Sequence, residues 1–262
     1  MKTAIETSVA ERVAGSRAIT STGKKTPGPR RSIAECLAPL NKIAAQSPNL
    51  VAYHDARFMS GSETYVLPRY VFVGPQGGDT PIHFGIFAGL HGDKLESVHA
   101  VVQFIKMLEA NPELARGYCL SFYPLCNPTG YEDGTHFPRS GKDLNREFWK
   151  NSSEPEIWLL QAELLSRSFQ GIILLQTDDI SHGFYGCSGG VTLAKHLLRQ
   201  GYCVEYAKAV LTAPTKARLR PFEIVYKTPA TLPSYMNEIA FIGALQMVLT
   251  EYREFIAYGA NL

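Results

Sequence analysis

No run of apolar residues in this chain approaches the roughly 18 needed to cross a bilayer, and no apolar core of a secretory signal opens it. Neither a membrane span nor an export signal is therefore expected, and a membrane partner is excluded. No Cys-x-x-Cys occurs, and the five cysteines (Cys36, Cys119, Cys126, Cys187, Cys203) are odd in number. That pattern argues against a disulfide framework and for a reducing, cytoplasmic setting. There is no Gly-rich phosphate loop and no internal repeat. Cys187-Ser188-Gly189-Gly190 reads as a small-residue turn rather than as a nucleophile at a helix start.

What is present is a chain of 262 residues, 45% hydrophobic and 19% charged, long enough to bury a large core as one α/β domain. The net charge of +2 conceals an asymmetry. Residues 1–31 hold seven basic side chains (Lys2, Arg12, Arg17, Lys24, Lys25, Arg30, Arg31) against Glu6 and Glu11. Taking these from the totals of 26 and 24 leaves 19 basic and 22 acidic side chains, a net of −3 for the remainder. Residues 1–31 are thus expected to be a mobile basic arm, and 32–262 the single folded domain. Such an arm could touch nucleic acid, but the simpler reading is a loosely docked segment, and no nucleic-acid partner is assigned.

Apolar spacing predicts helices over 32–46 (Ser32 its N-cap), 95–109, 155–169, 189–200 and 235–257. Strands are predicted over 50–58, 63–73, 82–88, 118–125, 171–175 and 222–226; residues 202–206 stay ambiguous. Strands alternating with helices imply a mixed, largely parallel sheet with helices on both faces, whose sites gather at the carboxyl ends of strands. Between 127 and 149 the chain runs Asn-Pro-Thr-Gly-Tyr-Glu-Asp-Gly-Thr-His-Phe-Pro-Arg-Ser-Gly-Lys-Asp-Leu-Asn-Arg-Glu-Phe-Trp. So much Gly, Pro, Asn and Asp reads as a long loop, and loops of that length are functional or disordered. It ends on Asp143-Leu144-Asn145-Arg146, an amide beside a fixed cation. Such a pair can grip both oxygens of a carboxylate; alternatively, the Asp and Arg simply pair with each other.

An Asn-Pro-x-Gly loop ending in Asp-Leu-Asn-Arg, preceded by a strand and Gly-x-His-Gly-Asp (residues 89–93), resembles the zinc carboxypeptidase superfamily. The likeness is to its short bacterial metallocarboxypeptidases and its succinylglutamate desuccinylase/aspartoacylase branch. Gly183-Phe184-Tyr185 and Thr228-Pro229 fit the same order, so the resemblance runs from about residue 50 to the C-terminus. It implies a carboxypeptidase-like (phosphorylase/hydrolase-like) α/β fold. It also implies a zinc held by His-x-x-Glu and a later His, with one open position for a nucleophilic water. A Glu base and a carbonyl-polarising Arg complete that site, and the Asn-Arg pair holds the substrate carboxylate.

Carried over residue by residue, the zinc site is degenerate. His91 stands, but the Glu position holds Lys94 and the later His position holds Gln176. His136 takes the place of the polarising Arg, and Lys227 that of the general base, with Glu223 four residues earlier on the same strand face. Asn145 and Arg146 match unchanged, and the resemblance adds Tyr185 to the substrate-binding residues. An ammonium does not ligate a metal, and an amide carbonyl is a poor zinc ligand. Lys94 and Lys227 should instead find partners among Asp93, Asp143, Asp178 and Asp179.

The first reading is therefore a pseudoenzyme without cofactor, whose pocket binds a small carboxylate or a peptide C-terminus. Lys94 would stand near the vacated cation position, and His91, Gln176 and Arg146 would converge at one end of the sheet. A second reading is an active zinc-dependent carboxypeptidase or amidohydrolase with a displaced site built from His91, Glu96, Asp178, Asp179 and His182. A third is an interaction module with a filled pocket.

Overall fold

The computed structural model describes residues 29–78, 80–179, 182–188, 193, 204–206, 210–212 and 222–259. Most of the basic arm and, apart from the buried, helical Leu193, the expected helix over 189–200 fall outside these residues. The chain opens with α1 (Ile33–Ala44), whose N-cap Ser32 accepts a hydrogen bond from the Glu35 amide at 3.1 Å. Then follow β1 (Leu50–Tyr53), a hairpin of β2 (Arg57–Ser60) and β3 (Glu63–Val66), β4 (Arg69–Val73) and β5 (Ile82–Phe87). Next come α2 (Glu96–Ala110), β6 (Tyr118–Tyr123), α3 (Pro128–Asp133), α4 (Leu144–Glu147) and α5 (Pro155–Ser166). The chain continues through β7 (Gly171–Asp178), β8 (Gly183–Ser188), β9 (Val204–Tyr206) and β10 (Phe222–Pro229) to a final helix, α6 (Ser234–Gly259).

Eight strands form one mixed sheet in the order β1-β4-β6-β5-β7-β10-β8-β9. Its centre, β6-β5-β7-β10, is parallel throughout, while β1, β4 and β8 run antiparallel to their neighbours in that centre or beside it. The strand period of two sorts the central side chains onto two faces. Phe84, Ile86, Ile173, Leu175, Ile224 and Tyr226 pack with α1, α2 and α6, through Leu40, Phe104, Ile105, Phe241 and Leu245. Phe87, Ile172, Leu174 and Val225 face the other way, onto Ile157 and Leu160 of α5 and Phe148. Each fully buried side chain of this size contributes about 1.5–3 kcal/mol, so this double core holds the carboxyl ends of the parallel strands in fixed register.

Two sequence expectations need correction. The spans 50–58 and 63–73 are not single strands: each divides, and the hairpin β2–β3 leaves the main sheet as a separate two-stranded unit. Pro68 lies at the second division, where it has no amide to offer a ladder. The stretch 127–149 is not wholly loop, because it contains α3 and α4. Capping overrides composition there. Asn127 caps α3 through the Gly130 amide with Pro128 at its first position, and Gly134 closes it at φ 68°. Among the described residues no helix is long and apolar enough to cross a membrane.

Candidate functional site

Strand β5 delivers the chain to the site and is then turned sharply. Gly89 adopts φ 66°, its amide donates to Ser97 Oγ at 3.2 Å, and its carbonyl accepts the Asn127 amide at 2.9 Å. Asn127 is fully buried and joins three segments. Its Oδ1 accepts the Gly130 amide at 2.9 Å, while Nδ2 donates to the carbonyls of Leu90 at 3.2 Å and His136 at 3.3 Å. Gly92 lies so tightly on α3 that a Cβ there would fall 2.1 Å from the Gly130 carbonyl carbon. Loop 91–93 and segment 134–138 are thereby held against one another before any catalytic side chain is considered.

Helix α4 determines where Asn145 and Arg146 point. Asp143 caps it, accepting the Asn145 amide at 3.0 Å, and its other oxygen pairs with Arg146 Nε at 3.1 Å. Successive residues of a helix diverge by about 100°, so the two neighbours separate. The Arg146 side chain is 81% exposed. Asn145 turns inward: its Nδ2 donates to His91 Nε2 at 2.5 Å and its Oδ1 accepts from Gln176 Nε2 at 2.6 Å. A hydrogen-bond relay from Gln176 through Asn145 to His91 thus crosses the site. The His91 ring stacks on His136 at 3.9 Å between centroids, and His136 Nδ1 meets Asp93 Oδ1 at 3.1 Å. Burial, reinforced by the neighbouring His136, lowers the His91 imidazole from 6.5 to about 4, against the pull of Asp143, Asp93 and Asp178.

A second cluster lies beside the relay. Parallel pairing puts Lys227 of β10 opposite Gln176 of β7, both on the face that carries Val225 and Leu174. Lys227 Nζ pairs with Asp178 Oδ2 at 2.8 Å and lies 5.1 Å from the centre of the Tyr185 ring. Asp178 also accepts the Asp179 amide at 2.6 Å. Lys94 is half-buried and makes no ion pair among the described residues, because Asp93 is taken by His136 and Asp143 by Arg146. Glu223 is deeper on β10, fully buried, and accepts the amides of Val210, Leu211 and Thr212 at 2.7–3.2 Å. It organises that segment from the amino end of β10, away from the carboxyl strand ends.

The residues of the displaced zinc site are not gathered. Glu96 accepts from Ser234 Oγ at 3.0 Å, His182 approaches the Tyr226 hydroxyl at 3.5 Å, and Asp178 is engaged with Lys227. Among the described residues no group of three or more His, Cys, Asp or Glu side chains converges to hold a metal. At the family-equivalent positions the donor chemistry does not fit zinc either. The His91 Nε2 lone pair accepts the Asn145 amide, Gln176 offers a carboxamide, and Lys94 is a cation. His91, Gln176 and Asn145 do converge at one end of the sheet, while Arg146, the neighbour of Asn145, faces outward. Sequence reasoning passed over Asn127 as the tie between segments, although an Asn before Pro-x-Gly is a recognisable cap.

No family sequence model matches the chain, and no curated protein matches it by sequence. Solved structures do match in shape. A metallo-carboxypeptidase from Burkholderia cenocepacia superposes with a TM-score of 0.69 at 14% identity, over 86% of this chain and 70% of that one. A metallo-carboxypeptidase from Pseudomonas aeruginosa, in complex with (2-guanidinoethylmercapto)succinic acid, gives 0.58 at 16% identity, over 85% and 70%. An aspartoacylase family protein from Mesorhizobium loti gives 0.55 at 16% identity, over 76% and 68%. Likeness at such identities speaks for architecture alone: the chain has the carboxypeptidase-like α/β fold common to metallo-carboxypeptidases and aspartoacylase-family proteins.

Proposed function

We propose that this protein is a non-hydrolytic carboxypeptidase-like pocket that binds a small carboxylate or a peptide C-terminus. The observation that carries this reading is the relay from Gln176 through Asn145 to His91. It uses the polar atoms at two family-equivalent ligand positions to satisfy one another, as a buried polar network must. The carboxylate half rests on the cations. Lys94 has no ion pair among the described residues, and only Nε of Arg146 is engaged, which leaves the terminal guanidinium nitrogens to face a ligand. A contact between an exposed guanidinium and a carboxylate contributes about 0.2–1 kcal/mol, enough to strengthen weak binding. The Pseudomonas aeruginosa relative, which holds a succinic acid derivative, offers a precedent for a carboxylic ligand on this fold. Four cysteines, Cys36, Cys119, Cys126 and Cys187, are free thiols, which supports a reducing, cytoplasmic setting.

Two measurements test the proposal. Protein purified without a metal-affinity tag should carry well under one equivalent of zinc. Calorimetric titration with acyl-amino acids and short peptides should show weak binding that falls about two- to fivefold in Arg146→Ala. Stoichiometric zinc ligated by His91, or equal binding by both proteins, would overturn it.

A further inference from the structure

The basic arm enters the folded domain beside the site, and its last two residues are docked by different means. Arg30 is exposed and faces acid: its guanidinium lies 2.7 Å from Glu63, 3.6 Å from Asp133 and 3.8 Å from Glu132. Arg139 shares the same three carboxylates, so the patch is a network rather than a single surface pair. Arg31 is half-buried and reaches the backbone. Its amide donates to the Glu132 carbonyl at 2.8 Å, and its Nη1 donates to the Gly92 carbonyl at 2.9 Å. The guanidinium lies over the Tyr131 ring at 5.8 Å.

Gly92 lies between His91, which accepts from Asn145, and Asp93, which holds His136. Its own amide donates to the His136 carbonyl at 3.2 Å. A side chain 61 residues away therefore holds the carbonyl of the residue that links the two imidazole contacts. Charge favours the arrangement, since residues 32–262, which Arg30 and Arg31 meet, are net acidic. We propose that Arg31, anchored by Arg30, is a latch that positions loop 91–93, so that the state of the pocket depends on the docking of these two residues. Arg31 acts through the loop, as a positioning residue. A competitor for Arg30 and Arg31 would then act on the pocket, because it must release the Gly92 carbonyl.

The effect on ligand affinity rests on the proposed carboxylate-binding function; the effect on the loop does not. The test is therefore run on imidazole resonances as well as on binding, at one pH and low ionic strength, with the full chain. In Arg31→Ala the ring resonances of His91 and His136 should move from their wild-type positions, and affinity for a short peptide should fall about tenfold. Arg116→Ala, which removes a surface pair with Glu113 at the opposite end of β6, should leave both resonances in place. If Arg31→Ala does not fold, Arg30→Ala removes the exposed anchor alone and should move the same two resonances in a smaller degree. Resonances in Arg31→Ala or, failing that, Arg30→Ala that coincide with wild type would overturn the latch. If no protein binds peptide, wild type included, the carboxylate proposal fails, and the resonances alone decide the latch.

Discussion

Acidification should destabilise this protein through one imidazole. His91 is lowered from 6.5 to about 4, first by burial and then by the neighbouring His136. A protonated His91 would also lose the Nε2 lone pair that accepts the Asn145 amide. The folded-state value lies below the unfolded one, so between these two the unfolded chain takes up a proton that the folded chain refuses. Stability from this group is then fully present above about pH 6.5, declines as pH falls, and levels off below about pH 4. One unit corresponds to about 1.36 kcal/mol, so the whole window is worth about 3 kcal/mol. Glu63, held down to about 2 by Arg139 and Arg30, adds a loss of the same sign below about pH 4.5, where the unfolded chain takes up a proton that the folded carboxylate refuses, and this loss is common to wild type and variant. Urea denaturation of wild type and His91→Gln at several pH values isolates the term, because other titrating groups are common to both and Gln keeps an acceptor for Asn145. The stability difference, wild type minus variant, should fall by about 3 kcal/mol from about pH 7 to about pH 4. A difference that stays flat, or a His91 resonance titrating at its ordinary value, would refute the buried relay.

Two further substitutions probe the frame around the site. Glu223→Gln places an amide donor among the three backbone amides of 210–212, so chemical denaturation should show a loss of about 2–4 kcal/mol; a loss under about 0.5 kcal/mol would mean those contacts do not hold the segment. Gly92→Ala sets a methyl 2.1 Å from the Gly130 carbonyl carbon and 2.3 Å from the Tyr131 amide nitrogen, both backbone atoms that cannot yield like a side chain. Its thermal midpoint should drop by more than about 5 °C, and a wild-type midpoint would show that loop 91–93 is not seated on α3.

Much of the architecture is legible in the chain because the signals are local. Apolar alternation along 82–87 and 222–226, the Ser32 cap and the Gly-x-His-Gly-Asp turn each involve residues within a few positions of one another. From them follow the parallel centre of the sheet and the placing of His91 and Gln176 at strand ends. The departures of Lys94 and Gln176 from the resembled zinc-ligand pattern are a matter of residue identity, so they too are readable before folding. Composition misled where local pairing outranks it. The Gly- and Pro-rich stretch forms α3 and α4 because Asn127, Pro128, Gly134 and Asp143 meet the backbone needs of short helices. Tertiary structure alone decided how the site residues are used. Asn145 and Arg146 look like a matched pair in sequence, yet a helical turn capped by Asp143 sends one inward and the other to solvent. The relay joins residues 31 and 54 positions apart, the pairing of Lys227 with Gln176 depends on strand order, and Arg31 reaches Gly92 across 61 residues. Capping and periodicity are settled within one turn or strand. Which donor satisfies a particular lone pair, and which acceptor a particular cation, is settled only when distant segments are packed, since burial then forces each polar group to find a partner in reach.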